Sequence, residues 1–411
     1  MKGYISALSS RLSLTLLSLV FLIPIQGEVF ASEFKALVIP TLMNEKMDGW
    51  YKIPPNSGPQ IHKASTIYQN QEFLLLVFFG GYSPDENGQL HLAFDVQVFD
   101  PKGNPTVDSV SNALGYQGPI GNPKALILNN TYLKIVFTKR YEFGTYTIKV
   151  SAHDKKAGNS YVTEKKIELI PVDLADNVLA QKSASEWMMG YYLNPTPIKA
   201  INAVQNTIQL ENEWLNKNAN ILAYFQQIFS DNPFLFEVVK DNFDTFTKTD
   251  QAKFILIGGL VGSTVLDELA ANSKELRGYL EIAKSAQPIG VQGQVDTAQE
   301  LDILWSEFFA TGRYQPIREI ISALKLSEHK GILGKIKSKE IDLSEDVNEA
   351  AILEATYQSA MWSLTSNGAR HPLIFKYGIT VYEKEELTSA EKEELAIVLS
   401  LIQRELNKDS Q

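Results

Sequence analysis

The hydrophobic period of this chain changes once, near Pro171, and that change limits what it can fold into. Before it, apolar residues recur at every second position, as on a half-buried strand; after it they recur at every third and fourth, as on a helix. Leu90, Leu92, Phe94, Val96 and Val98 alternate with His91, Ala93, Asp95 and Gln97, and residues 100–105 (DPKGNP) supply turn chemistry. Tyr146, Ile148 and Val150 alternate with Thr145, Thr147 and Lys149 in the same way. Residues 73–82, FLLLVFFGGY, make a short apolar run closed by Gly-Gly, the pattern of a buried strand. Residues 125–170 hold four more strand candidates. Closely spaced strands with no helical pattern between them predict an antiparallel β-sandwich over residues 32–171.

Residues 172–411 predict an all-α domain, with short links that favour antiparallel neighbours. Thr297 with Glu300, and Thr388 with Glu391, fit capping boxes, in which hydroxyl and carboxylate satisfy the free N–H groups of a helix start. Gly312 stands where a helix around Trp305 would end in a left-handed residue. The fold class expected is therefore multidomain α+β, a β-sandwich followed by antiparallel helices. With no cysteine, packing rather than disulfides must hold it together.

Residues 1–31 read as a signal peptide. Lys2 and Arg11 make a basic start, and residues 12–25 (LSLTLLSLVFLIPI) are almost wholly apolar. That run is too short for the about 20 residues of a full span. Val29-Phe30-Ala31 predicts cleavage after Ala31 and a periplasmic or secreted protein with no stable membrane span. A formal net charge of −10 disfavours nucleic acid and anionic membrane surfaces, both of which are held by Lys and Arg.

Motifs for chemistry are scarce. The histidines, His62, His91, His153, His329 and His371, include no pair at metal-ligand spacing, so neither a metal nor another cofactor is expected. His91 falls on the polar phase of a strand and His153 beside a turn, which places both at the surface. There is no GxSxG elbow, and Ser363 and Ser366 near His371 do not by themselves make a triad. Gly258 to Thr264, GGLVGST, lacks the lysine of a phosphate loop. Residues 254–266, FILIGGLVGSTVL, read better as a buried helix whose small residues admit a neighbour, although Gly258 and Gly262 would also suit packing in lipid. Glu383, Glu385, Glu386, Glu391, Glu393 and Glu394 read as a solvated face. Glu307, beside Trp305 and Phe308, is a candidate glycosidase acid with no evident second carboxylate, Glu345 being the residue to test beside it. Arg370 and His371 sit at a helix exit, where a cation complements the dipole. Trp305, Glu307, Phe308, Arg370 and His371 are the candidate binding surface.

Two stretches resemble known proteins. Residues 143–169, FGTYTIKVSAHDKKAGNSYVTEKKIEL, resemble the last two strands of bacterial immunoglobulin-like modules, over about 100 residues, the size of such a module. The resemblance implies a spacer, adhesive unit or docking platform and brings no functional residues. LDILWSEFFATGRYQPIREIISAL with AMWSLTSNGARHP resembles helical segments of uncharacterised exported bacterial proteins, which imply no activity. The function expected is thus an exported binding protein with a protein or peptide partner. A hydrolase of envelope polysaccharide or another extracellular polymer is the alternative, and a membrane-active secreted factor resting on residues 254–266 is the third.

Overall fold

A computed structural model describes residues 33–42, 61, 63–120, 126–131, 133–177, 179, 181–210, 218–286, 288–291 and 293–408. The predicted signal peptide, its cleavage after Ala31, and His62 lie outside these residues. The chain is mixed α+β, with strands up to residue 170 and helices after it.

The strands are β1 (Lys35–Thr41), β2 (Thr66–Tyr68), β3 (Glu72–Gly80), β4 (Gln89–Phe99), β5 (Pro105–Pro119), β6 (Ile127–Leu128), β7 (Leu133–Val136), β8 (Gly144–Asp154) and β9 (Asn159–Ile170). One sheet runs β1-β3-β6, with β7 also on β3; the other runs β2-β9-β8-β4-β5. Pairing is antiparallel except for β2 with β9, which is parallel. The alternation read from sequence sets which side chains face inward. Leu90, Leu92, Phe94, Val96 and Val98 of β4, with Tyr146, Ile148 and Val150 of β8, join Phe73, Leu75, Val77 and Phe79 of β3 in one apolar cluster. Leu76 and Phe78, on the other face of β3, pack with Ile39 and Leu128. Being covered on both sides is why β3 is apolar at every position from 73 to 79.

β5 carries no usable alternation. It lies at a sheet edge, its pairing with β4 shifts register three times, and Asn112 within it has φ 53°. Irregular pairing and an exposed edge remove the periodic signal by which a strand is recognised.

The helices are α1 (Gln181–Gly190), α2 (Lys199–Thr207), α3 (Ala219–Asp231), α4 (Phe234–Asp241), α5 (Lys248–Val261), α6 (Asp267–Ala271), α7 (Lys274–Ser285), α8 (Ala298–Thr311), α9 (Tyr314–Ser322), α10 (Ile332–Lys337), α11 (Glu345–Arg370), α12 (Pro372–Lys384) and α13 (Ser389–Lys408), with 3₁₀ turns at Tyr191–Leu193 and Ala323–His329. They enclose two apolar clusters, one built on α2 to α5 and one on α8, α9 and α11 to α13. α8 serves both, with Ala310 in the first and Trp305 and Phe308 in the second. α12 and α13, joined by a short link, are antiparallel, with Tyr382 beside Lys392 and Gly378 against Leu399. Tyr357 of α11 meets Glu394 of α13, and Gly368 lies against Ile402, so these two helices, separated in sequence by α12, run in the same sense, as antiparallel neighbours require.

α5 is the buried helix expected around residues 254–266. Asp250 to Leu260 are all interior, and the buried lysine among them, Lys253, is neutralised there: Nζ donates to Asp250 Oδ1 at 2.9 Å and to the Gln205 carbonyl at 2.6 Å. Protein surrounds residues 254–260 of the stretch on which a lipid-packing reading rested, and no helix among the described residues is long and apolar enough to cross a membrane. The close approach is made by Gly259, where a Cβ would stand 2.5 Å from the Cβ of Ala283 on α7. Gly262 instead ends the helix in a left-handed turn at φ 76°. Strands and helices meet where Tyr68 stacks on Phe234, ring centres 6.3 Å apart, and where Lys139 pairs with Asp241 at 3.0 Å.

Candidate functional site

α8 carries Trp305, Glu307 and Phe308, and its C-terminal end lies beside His371. At its start Thr297 and Glu300 form the reciprocal capping box, and at its end Gly312 takes φ 70°. A side chain at Gly312 would also meet the ring of Tyr192 at 2.9 Å, so glycine is needed there for space as well as for conformation. This lets the 3₁₀ turn Tyr191–Leu193 press against the helix end, and Tyr192 reaches across to hydrogen-bond His371, Oη to Nδ1, at 3.0 Å.

His371 closes α11 and opens α12, with Pro372 in the first turn of α12. It is buried, its ring 5.1 Å from that of Phe309 and 5.7 Å from that of Tyr192. Burial, with the charge of Arg370 adding to it, holds the imidazole below its ordinary pKa. Burial raises Tyr192 well above the usual phenol range. A neutral imidazole and a neutral phenol therefore share this hydrogen bond. Ser363, near it in sequence, donates instead to the Ala360 carbonyl of its own helix, at 3.3 Å.

Trp305 and Phe308 are interior, 6% and 0% exposed, with Trp305 stacked on Phe309. The surface expected from Trp305, Phe308 and His371 is not formed, because helical spacing turns Trp305 and Phe308 into the second cluster and His371 is buried at a helix junction against Tyr192 and Phe309. Arg370 is exposed and Glu307 is half-buried.

Glu307 belongs to a different group. Arg313 Nη1 lies 3.9 Å from Glu307 Oε1, and its Nη2 lies 3.3 Å from Asp231 Oδ1 at the end of α3. Gln227 also donates to Asp231, at 3.2 Å. Burial pushes both carboxyls above the ordinary carboxylate range, with Arg313 opposing it. Asp231 is thus a second carboxylate near Glu307 that sequence reading missed, since it comes from another helix. Glu345 sits exposed in the first turn of α11.

The glutamates around residue 390 divide. Glu383, Glu386 and Glu393 are solvated as expected, but Glu391 and Glu394 are buried. Glu391 caps α13 together with Thr388, and Glu394 accepts from Lys330 and from the Tyr357 hydroxyl, the latter at 2.6 Å. Among the described residues no group of three or more His, Asp or Glu is placed to hold a metal.

The most exposed aromatic in a helix was not predicted as a site. Trp362 of α11 is 73% exposed, on one stripe with Ile352, Ala355, Ser359 and Ser366. Ile352 is exposed as well, while Tyr357, Ala360 and Leu364 bury the other face of the helix.

No protein-family model matches this chain, and no curated protein matches it. Among solved structures it is similar to a family 123 glycoside hydrolase from Clostridium perfringens, with a TM-score of 0.18 and 11% identity. The similarity covers 47% of this chain and 36% of that one, so the chain spans little more than a third of that protein's length. A likeness of this size carries no argument about fold or function.

Proposed function

We propose that this chain is exported by a cleavable signal peptide and acts in the periplasm or beyond as a binding protein, offering the Trp362 face of α11 to a protein or peptide. The observation that carries the reading is Trp362 itself. An indole left 73% exposed, with Ile352 exposed on the same stripe, is an apolar surface of the type that marks interaction sites, and tryptophan is enriched among binding hot spots. The small residues Ala355 and Ser359 between them leave room for a partner's side chains.

In the same reading the β region is an immunoglobulin-like sandwich that spaces or docks the helices. Two features support it: the inner faces of both sheets share one cluster, and Tyr146 near the start of β8 donates its hydroxyl to the Glu142 carbonyl at 2.8 Å, in the manner of a tyrosine corner.

The test is crosslinking of residues 32–411 from a photo-reactive group at Ser359 in envelope extracts. A discrete adduct that is lost in Trp362→Ala, with thermal stability unchanged, is the expected result. No adduct, or one indifferent to Trp362, would end this reading.

One observation favours a second reading, hydrolysis of an extracellular polysaccharide. Asp231 and Glu307, two carboxyls with raised pKa, meet at Arg313. Loss of a detected glycosidase activity in both Asp231→Asn and Glu307→Gln would support it, and activity in either variant would remove it.

A further inference from the structure

The outward face of the second sheet carries three side chains in a relay. His153 on β8 lies opposite Ser160 on β9, the two being direct cross-strand partners. His153 Nδ1 is 3.0 Å from Ser160 Oγ, and His153 Nε2 is 2.9 Å from Asp95 Oδ2 on β4. We propose that Ser160, His153 and Asp95 form an acyl-transfer site, with Ser160 as nucleophile, His153 as general base and Asp95 as the positioning residue, acting on small neutral esters.

The backbone around Asp95 is shaped to hold it. The β4–β5 pairing breaks register between Phe94 and Val96, so Asp95 has no ladder partner on β5. Its Oδ1 instead accepts the backbone N–H of Asn112 at 2.6 Å, and Asn112 adopts φ 53°, a left-handed conformation that few non-glycine residues take. Burial works against the charge on Asp95, but the Asn112 and His153 hydrogen bonds outweigh it and keep the carboxyl below its ordinary pKa. An ionised Asp95 can only accept, so in its neutral form His153 carries its proton on Nε2 and turns a bare Nδ1 toward the serine hydroxyl. That is the tautomer general-base chemistry requires.

Access and substrate class follow from the same face. Ser160 is exposed, while the His153 side chain keeps 23% exposure. Ala93 lies beside His153 in the ladder and Leu114 beside Ala93, and Val162 stands two residues from Ser160 on the same side of β9. Leu114 and Val162 are 39% and 52% exposed and give the relay an apolar margin on two sides, which suits a short uncharged acyl group.

In the reaction the Ser160 hydroxyl passes its proton to His153 Nδ1 as Oγ bonds to the ester carbonyl carbon, and the carbonyl electron pair moves onto oxygen. Collapse of that adduct breaks the bond to the alcohol oxygen, which takes the proton back from Nδ1. Water then repeats both steps on acyl-Ser160, releasing the acid and restoring the hydroxyl.

The test is labelling of residues 32–411 with a fluorophosphonate, located by peptide mass spectrometry, beside hydrolysis of p-nitrophenyl acetate. The expected adduct is on Ser160, is absent in Ser160→Ala, and forms about 100-fold or more slowly in His153→Asn, the scale of general-base assistance. Asp95→Asn should slow labelling and move the His153 proton from Nε2 to Nδ1 in nitrogen-15 imidazole spectra, a change that loss of a merely structural contact would not produce. No adduct on Ser160, or a rate unaffected by His153→Asn in a folded protein, would overturn the proposal.

Discussion

Two adjacent glycines of α5, exchanged one at a time for alanine, should move stability in opposite directions. Each exchange gains the helical preference of alanine, about 1 kcal/mol. At Gly258 the new methyl would lie 3.6 Å from Phe236 Cε1 and 3.8 Å from Leu266 Cδ1, ordinary contact distances. Gly258→Ala should therefore stabilise by about 0.5–1 kcal/mol. At Gly259 the methyl would stand 2.5 Å from Ala283 Cβ, an atom fixed to the α7 backbone that cannot rotate away. Restoring a carbon–carbon contact of about 3.5 Å requires α5 and α7 to separate by about 1 Å. Such overpacking commonly costs about 1–3 kcal/mol, and here it moves a whole helix, so Gly259→Ala should be destabilised by about 1–2 kcal/mol after its helical gain. Urea unfolding followed by circular dichroism at 222 nm, at constant m-value, reads both changes. A Gly259→Ala variant as stable as the parent would refute the claim that this glycine admits α7.

Four further outcomes follow from buried polar groups. Tyr192→Phe leaves the buried Nδ1 of His371 without its hydroxyl partner and should cost about 1–3 kcal/mol in chemical denaturation at pH 8. Because the folded pKa of His371 is depressed, its neutral form contributes stability that is complete above about pH 6.5 and lost as pH falls through the folded value; His371→Asn should flatten that part of the stability–pH curve. Glu354 is buried and accepts the backbone N–H groups of Gly331 and Leu333 at 3.0 and 2.7 Å; burial opposes its charge, but these donors outweigh it and lower its pKa. The stability it supplies is present above the ordinary glutamate range and lost as pH falls through the folded value, so Glu354→Gln should weaken acid denaturation's dependence on pH, measured by titration of ellipticity. Lys253→Met leaves Asp250 buried without its cation and should cost about 3–5 kcal/mol, part of it recovered when Asp250→Asn is added, as read from urea midpoints.

What could be read from the sequence was whatever short-range periodicity and local chemistry decide. The alternation in β4 and β8, the all-apolar β3, the capping boxes at Thr297 and Thr388 and the left-handed Gly312 depend on residues a few positions apart, and each stands in the structure where its pattern placed it. β5 was illegible because its register breaks erase the period. Trp305 and Trp362 show the same limit in the helices. Both are tryptophans on amphipathic segments, yet one is 6% exposed and the other 73%, and only the packing of neighbouring helices decides which face each turns to.

The chemistry lies almost wholly beyond local reading. His371 meets Tyr192 from 179 residues away, Asp231 meets Arg313 across 82, and Asp95 meets His153 across 58. No pattern in one sequence ties such positions together, because the forces that join them, burial and hydrogen bonding, act only once the chain has brought distant elements into contact. The sequence by itself determined the order of strands before helices, where several of them begin and end, and which faces of the regular strands turn inward. The tertiary structure alone decided which carboxylates are buried, which aromatic reaches solvent, and which serine lies beside a histidine and an acid.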